Sequence, residues 1–215
     1  MFTNITIKRL KTIKSLRVEA TEEGGLLVRA PTYISDAYCM DFIRKNSTKI
    51  TRMVEAKLEF ARAKNEFNGF FLHLGKKAEY VLEPSLKKPF LFEDNRLSVR
   101  EDADFRGFLL SEAKRIITPK AHDIAGFYDV EFKKISFRDA KSRWGSCSSR
   151  GHLNFSYRLV GAPKSVIEYV VIHEVCLLRE LNHSERFWNE VRKLSPAYKE
   201  SEAWLKKYGR LLFIR

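Results

Sequence analysis

Two histidines and a glutamate carry the most chemical information in this chain. His173 and Glu174 are adjacent, and His183 follows ten positions after the first histidine, in the stretch HEVCLLRELNH. Imidazole nitrogens are good zinc ligands, and a glutamate beside a helical ligand can contact a metal-bound water and act as its general base. In the helical pattern HExxH the second ligand stands four residues after the first, about 40° round the helix and so on the same face. That position is Leu177 here, and leucine has no lone pair to offer. Cys176 precedes it, about 60° to the other side of His173, and a cysteine thiolate binds zinc well. A site of His173, Cys176 and His183 is one alternative. A site reduced to two histidines, short of the three protein ligands of a catalytic zinc, is another. A satisfied core histidine beside a partly exposed glutamate is the plainest.

The elements that must position these residues are legible nearby. Ser165 followed by Glu168 has the capping-box spacing, and Pro163 fits a helix start. From Val166 through Leu181 the chain is apolar almost all round, which predicts a central buried helix. Asn182, tolerant of left-handed backbone, is expected to end it, and Ser184 with Glu185 to open the next helix. His183 then sits on a tight turn that can carry it back towards His173. If both imidazoles face one zinc, their nearest nitrogens lie within about 5 Å, since each ligand stands about 2.0–2.1 Å from the ion.

Further upstream, residues 4–31 alternate in polarity around Glu22-Glu23-Gly24-Gly25 and predict a β-meander. Helical spacing runs from Ser35 to about Lys64. FFLHLG and AEYVLE predict a hairpin at Gly75, and PFLFEDNRLSVR a second at Asp94-Asn95. A long helix follows residue 101, with Pro119 expected to kink or end it. A second β block carries a hairpin loop at Ser148–Gly151, and helices complete the chain. The texture divides it into a strand-rich region, 1–100, and a second domain, 101–215.

The segments SRWGSC at 142–147, LNFSYRLV at 153–160, EYVVIHE at 168–174, NHSERFW at 182–188 and SPAYKESEAWLKKYG at 195–209 occur in order. Together they resemble the YgjP-like metallopeptidase domain family, a zincin-type group related to the SprT and WLM peptidases. The N-terminal hairpins resemble that family's less distinctive first half. The resemblance implies an α+β fold, with a strand-rich N-terminal half followed by a zincin-like C-terminal half built on a central HExxH-type helix. It implies zinc as cofactor, His173 and His183 as the first and third ligands, Glu174 as catalytic base, and a peptide or protein as substrate. Residues 143–147 are then expected to form a strand facing the substrate cleft. Two positions depart from the family pattern: Leu177 replaces the second histidine, and Pro196-Ala197-Tyr198 stands where Pro-Asp-Tyr is favoured. Zinc is accordingly expected to be weakly held or absent, and the alternative function is a catalytically silent scaffold that binds peptides or proteins.

Composition bounds the rest. With 215 residues and 44% hydrophobic content the chain can bury a real core. Cys39, Cys147 and Cys176 are an odd, widely spaced set without a CxxC pair, which fits a reducing compartment. No stretch approaches the roughly 18 apolar residues of a membrane span, and the N-terminal residues lack a signal-peptide core, so a cytoplasmic location is expected. The net charge of +13 makes nucleic acid a candidate partner, through Lys8, Arg9, Lys11, Lys14 and Arg17, or through Lys133, Lys134, Arg138, Lys141, Arg143 and Arg150. Trp144, Trp188, Trp204 and Cys147 are read as packing residues, and His73, His122 and His152 as structural or surface histidines.

Overall fold

A computed structural model describes residues 2, 4–66, 68–140 and 142–213; Lys141 of the second basic group lies outside the described residues. The chain divides into two compact units, Met1–Glu66 and Phe67–Arg215. In the first, β1 (Ile5–Leu10), β2 (Arg17–Ala20) and β3 (Leu26–Pro31) precede α1 (Asp36–Lys45) and α2 (Ser47–Glu66). The expected meander is corrected. The sheet order is β1-β3-β2, with β1 parallel to β3 and only β2 antiparallel to it. The reason is burial: LLVRAP of β3 hides Leu26, Val28 and Ala30 completely, so it takes the central place and needs a partner on each side. The expected single helix is also divided. Ser35 caps α1 as anticipated, accepting from the Tyr38 N–H, but Asn46 interrupts the run, its side chain donating to the Phe42 carbonyl at 2.9 Å.

The second unit opens with two hairpins, β4 (Phe70–His73) with β5 (Lys76–Leu82) and β6 (Phe90–Glu93) with β7 (Arg96–Val99). Their two-residue turns, Leu74-Gly75 and Asp94-Asn95, both lie at positive φ, the backbone that matches the twist of a tight hairpin. Parallel pairing of β5 with β7 joins them in the order β4-β5-β7-β6. The change of texture near residue 100 falls inside this unit, because Phe71, Ala78, Leu97 and Val99 share one core with Phe105, Phe108 and Leu109 of the following helix.

That helix, α3 (Phe105–Phe127), is capped by Asp104 and continues through Pro119, so the proline does not end it. Proline costs an interior helix a hydrogen bond and crowds the carbonyl four residues back. Here Pro119 and Arg115 are exposed, so the freed carbonyl faces solvent, while Ala113, Ile117, Ala121 and Ile124 hold the opposite face in the core. A third sheet follows, of β8 (Lys134–Arg138), β9 (Gly145–Cys147) and β10 (His152–Ser156), in the order β8-β10-β9. Leu153 and Phe155 of β10 point into the core, while Asn154 faces outward between Ser136 and Ser146. Helices α4 (Lys164–Cys176), α5 (Glu185–Leu194) and α6 (Tyr198–Tyr208) complete the unit. The architecture is α+β, with strands leading and helices closing the chain. No helix among the described residues is long and apolar enough to cross a membrane.

Two carboxylates tie elements of this unit together. Glu112 on α3 meets Arg115 at 2.7 Å and the buried His73 at 2.8 Å, and Asp139 meets Arg158 at 2.6 Å. Arg115 first, and then His73, hold the Glu112 carboxyl below the usual range against the opposing effect of burial, and Arg158 does the same for Asp139. A carboxyl whose folded pKa is depressed adds stability above its unfolded pKa and loses it as pH falls through the folded value. The thermal midpoint is therefore expected to drop on acidification below about pH 5, and to drop less steeply in Glu112→Gln. An equally steep acid limb in the variant would remove Glu112 from this account.

Candidate metal centre

Helix α4 is buried along most of its length, from Val166 to Cys176, which fixes the direction of the few polar side chains it carries. Its ends differ from those expected. Pro163 stands at the N-cap with no side-chain cap bond, so the Ser165–Glu168 box is not formed, and the helix stops at Cys176 with Leu177 as its C-cap. Leu181, expected to be buried, is exposed. Residues 177–179 form turns in place of a further helical turn, bringing the chain back sooner. Asn182 does not enter the left-handed region among the described residues; its side-chain oxygen accepts from the Ser184 N–H at 3.0 Å, an Asx turn. Ser184 then caps α5 through the Phe187 N–H, as its position predicted.

This reversal carries His183 onto His173. Their Nε2 atoms stand 3.0 Å apart, well inside the expected separation. The two rings pack on common aromatic neighbours: Phe187 lies 4.9 Å from the His173 ring and 4.8 Å from that of His183, Trp188 lies 5.8 and 6.1 Å away, and Tyr169 lies 5.9 Å from His173. Burial first, and then the neighbouring His183, lower the His173 pKa to about 4. The ring is neutral at neutral pH.

Glu174 points from the next position on α4 into the small sheet. It is 5% exposed, and burial raises its carboxyl to about 7 against the pull of the Arg143 charge and the Cys147 backbone N–H. Its Oε2 has no hydrogen-bond partner. Gly145 of β9 makes this placement possible: a Cβ there would lie 2.6 Å from both Cγ and Oε1 of Glu174. β9 pairs only with β10 among the described residues, so a free strand edge runs beside a buried carboxyl. A free edge presents backbone groups that an extended peptide can pair with.

The YgjP-like metallopeptidase domain pattern matches residues 14–208 of the chain. The chain belongs to this family. No curated protein matches it closely. Among solved structures it is similar to the metallopeptidase zymogen of Pyrococcus abyssi abylysin, with 21% identity and a TM-score of 0.40 over 44% of this chain and 96% of that one. It is similar also to the metallopeptidase zymogen of Methanocaldococcus jannaschii jannalysin, with 20% identity and a TM-score of 0.39 over 42% of this chain and 94% of that one.

Membership of a metallopeptidase family implies a metal, and the donors in this YgjP-like chain meet that requirement only in part. The facing Nε2 atoms of His173 and His183 suit two positions around one cation. A third is not supplied, for no group of three His, Cys, Asp or Glu side chains among the described residues is placed to hold an ion. Cys176 does not join the pair. It is fully buried, its thiol is raised to about 11 by burial, and its polar neighbours are Tyr128, Glu190 and Arg179. His173 Nδ1 is buried without a hydrogen-bond partner. A ligand histidine ordinarily donates from that second nitrogen to a carboxylate or carbonyl, which orients the ring and raises its basicity. The residues present therefore do not fit a three-ligand catalytic zinc.

Sequence reasoning reached His173, Glu174 and His183 but missed what surrounds them. Trp188, read as a packing residue, packs against both imidazoles. Gly145 could have been noticed as the glycine of WGSC, but nothing in the sequence pairs it with Glu174. Trp144 and Trp204 are packing residues, against Phe213 and Tyr208 respectively. Cys147 is a poor nucleophile, its thiol raised to about 11 by burial and then by the Glu174 charge.

Proposed function

We propose that this protein is a peptide-binding member of its metallopeptidase family, holding an extended chain along the free edge of β9, with a hydrolytic centre reduced to His173, His183 and Glu174. The observation that carries the reading is the conjunction of that edge with the buried Glu174, three residues from a ligand position occupied by Leu177. In this reading residues 101–215 form the peptidase-like half, and β9 supplies main-chain groups to the bound peptide. Glu174 is poised near neutrality to take a proton, but a water at the histidine pair would be only weakly activated. Zinc is weakly held or absent, and hydrolysis is slow or silent. Three free cysteines fit a reducing, cytoplasmic setting. This reading assigns no role to nucleic acid.

The test is anisotropy of a fluorescein-labelled unstructured peptide, followed by mass spectrometry of the mixture. Saturable binding that survives a chelator, with the peptide recovered intact, is expected. Cleavage that disappears both with chelator and in Glu174→Gln would establish the second function, an active zinc peptidase, and overturn the silent one. Absence of binding under every condition would overturn the cleft itself.

A further inference from the structure

Beside the free edge of β9 lies a cavity of about 210 Å³, lined by Arg138, Arg143, Ser146, Asn154 and Ser156 together with backbone and apolar atoms of the third sheet. Register explains its polarity. Ser136, Asn154 and Ser146 stand side by side across β8, β10 and β9, with the Ser136 hydroxyl donating to Asn154 Oδ1. Arg138 stands beside Ser156 one step along. Leu153 and Phe155, on the opposite face of β10, are buried.

Neither Arg138 nor Arg143 forms an ion pair with a carboxylate among the described residues, and Asp139, which lies next to Arg138 in sequence, is engaged by Arg158 through two hydrogen bonds. Two guanidinium groups at one small pocket with hydroxyl and amide neighbours form a receptor for a carboxylate, which arginine binds in a planar, two-pronged geometry. Arg143 also sits close enough to the reaction-centre side for its charge to act on Glu174, so the pocket adjoins the proposed cleft.

We propose that this pocket selects a glutamate side chain of the peptide bound along β9. The inference rests on the peptide-binding reading above and names the sequence preference of that cleft. A strand added to the edge of β9 continues the existing rows: its residue opposite Ser146 projects onto the face that carries Ser146, Asn154 and Ser136. A side chain at that place runs over Ser146 into the cavity. A chain-terminal carboxylate would instead lie in line with the strand, away from the outward face, so the side-chain carboxylate is the ligand. Glutamate has the longer reach of the two acidic residues.

The experiment uses the full chain and three fluorescein-labelled peptides of alternating threonine and valine: one amidated with a central glutamate, one amidated with a central glutamine, and the glutamine peptide with a free C-terminal carboxylate. Affinities are read by anisotropy at fixed ionic strength. The glutamate peptide is expected to bind about tenfold more tightly than the amidated glutamine peptide, the equivalent of about 1.4 kcal/mol. The Arg138→Gln/Arg143→Gln double variant is expected to bind those two alike, with folding checked by circular dichroism. Lys87→Gln/Lys88→Gln removes the same charge from an exposed loop and is expected to keep the preference, which separates the pocket from the general attraction of a basic protein. Equal affinities in the native chain, a preference that persists in the arginine variant, or a gain from the free C-terminus alone would each overturn the proposal while leaving the cleft intact. Failure of all three peptides to bind would overturn the cleft reading, and this inference with it.

Discussion

Leu177→His is expected to bind zinc at least about 100-fold more tightly than the native chain, because loss of even an outer partner of a ligand typically costs about 10–100-fold and this change restores a ligand itself. The backbone at 177, with φ −66° and ψ −14°, is already helical, so histidine requires no rearrangement of the main chain. Its side chain would rise from the position four after His173, on the face that already presents His173 to His183. Some stability is lost, since Leu177 packs against the core in part, and a fully buried leucine contributes about 1.5–3 kcal/mol. Zinc affinity by calorimetric titration and cleavage of casein are measured on both chains. Gain of both in the variant, with cleavage abolished by adding Glu174→Gln, is the expected pattern. Tight stoichiometric zinc with cleavage in the native chain would show that Leu177 is no defect. No gain in the variant would show that the centre lacks more than one group, and the unpartnered His173 Nδ1 would be the first place to look.

The facing histidines were legible in the sequence because their spacing is local. An apolar run, a capping serine and a histidine between them suffice to bring His183 back over His173, and the 3.0 Å approach follows. The same locality made both tight hairpins readable, from glycine, asparagine and aspartate at the turns. What escaped was set by partners distant in sequence. Polarity alternation identified β1, β2 and β3 but was silent about order, in which β3, the most buried of the three, takes the centre. That α3 runs on past Pro119 was not legible, because the local cost of proline is visible, whereas the burial of Ile117, Ala121 and Ile124 that outweighs it depends on the tertiary core. Spacing alone leaves Cys176 open as a ligand, and what takes it out is Tyr128, at the end of α3, beside its thiol. Glu174 could be named as a base from its neighbour, yet its environment depends on Gly145, twenty-nine residues earlier and on another element.

That pairing makes Gly145→Ala the second large effect. The added methyl would stand 2.6 Å from Cγ and Oε1 of Glu174, well inside van der Waals contact, and α4 is too deeply packed to retreat. Either β9 moves outward, weakening its pairing with β10, or the carboxyl is driven from its buried place. Overpacking of this kind typically costs about 1–3 kcal/mol, read as a lowered midpoint in denaturant unfolding. If Glu174 is the obstacle, Glu174→Ala removes it, and Gly145→Ala should then be nearly neutral in that background. The coupling between the two substitutions in a double-mutant cycle is thus expected to match most of the single-variant loss. Peptide binding should follow the same pattern, weakened by Gly145→Ala and recovered in the double variant, because the edge of β9 would be displaced in the first and returned in the second. Additive losses would mean that the methyl collides elsewhere, and would separate the shape of the β9 edge from the carboxyl beneath it.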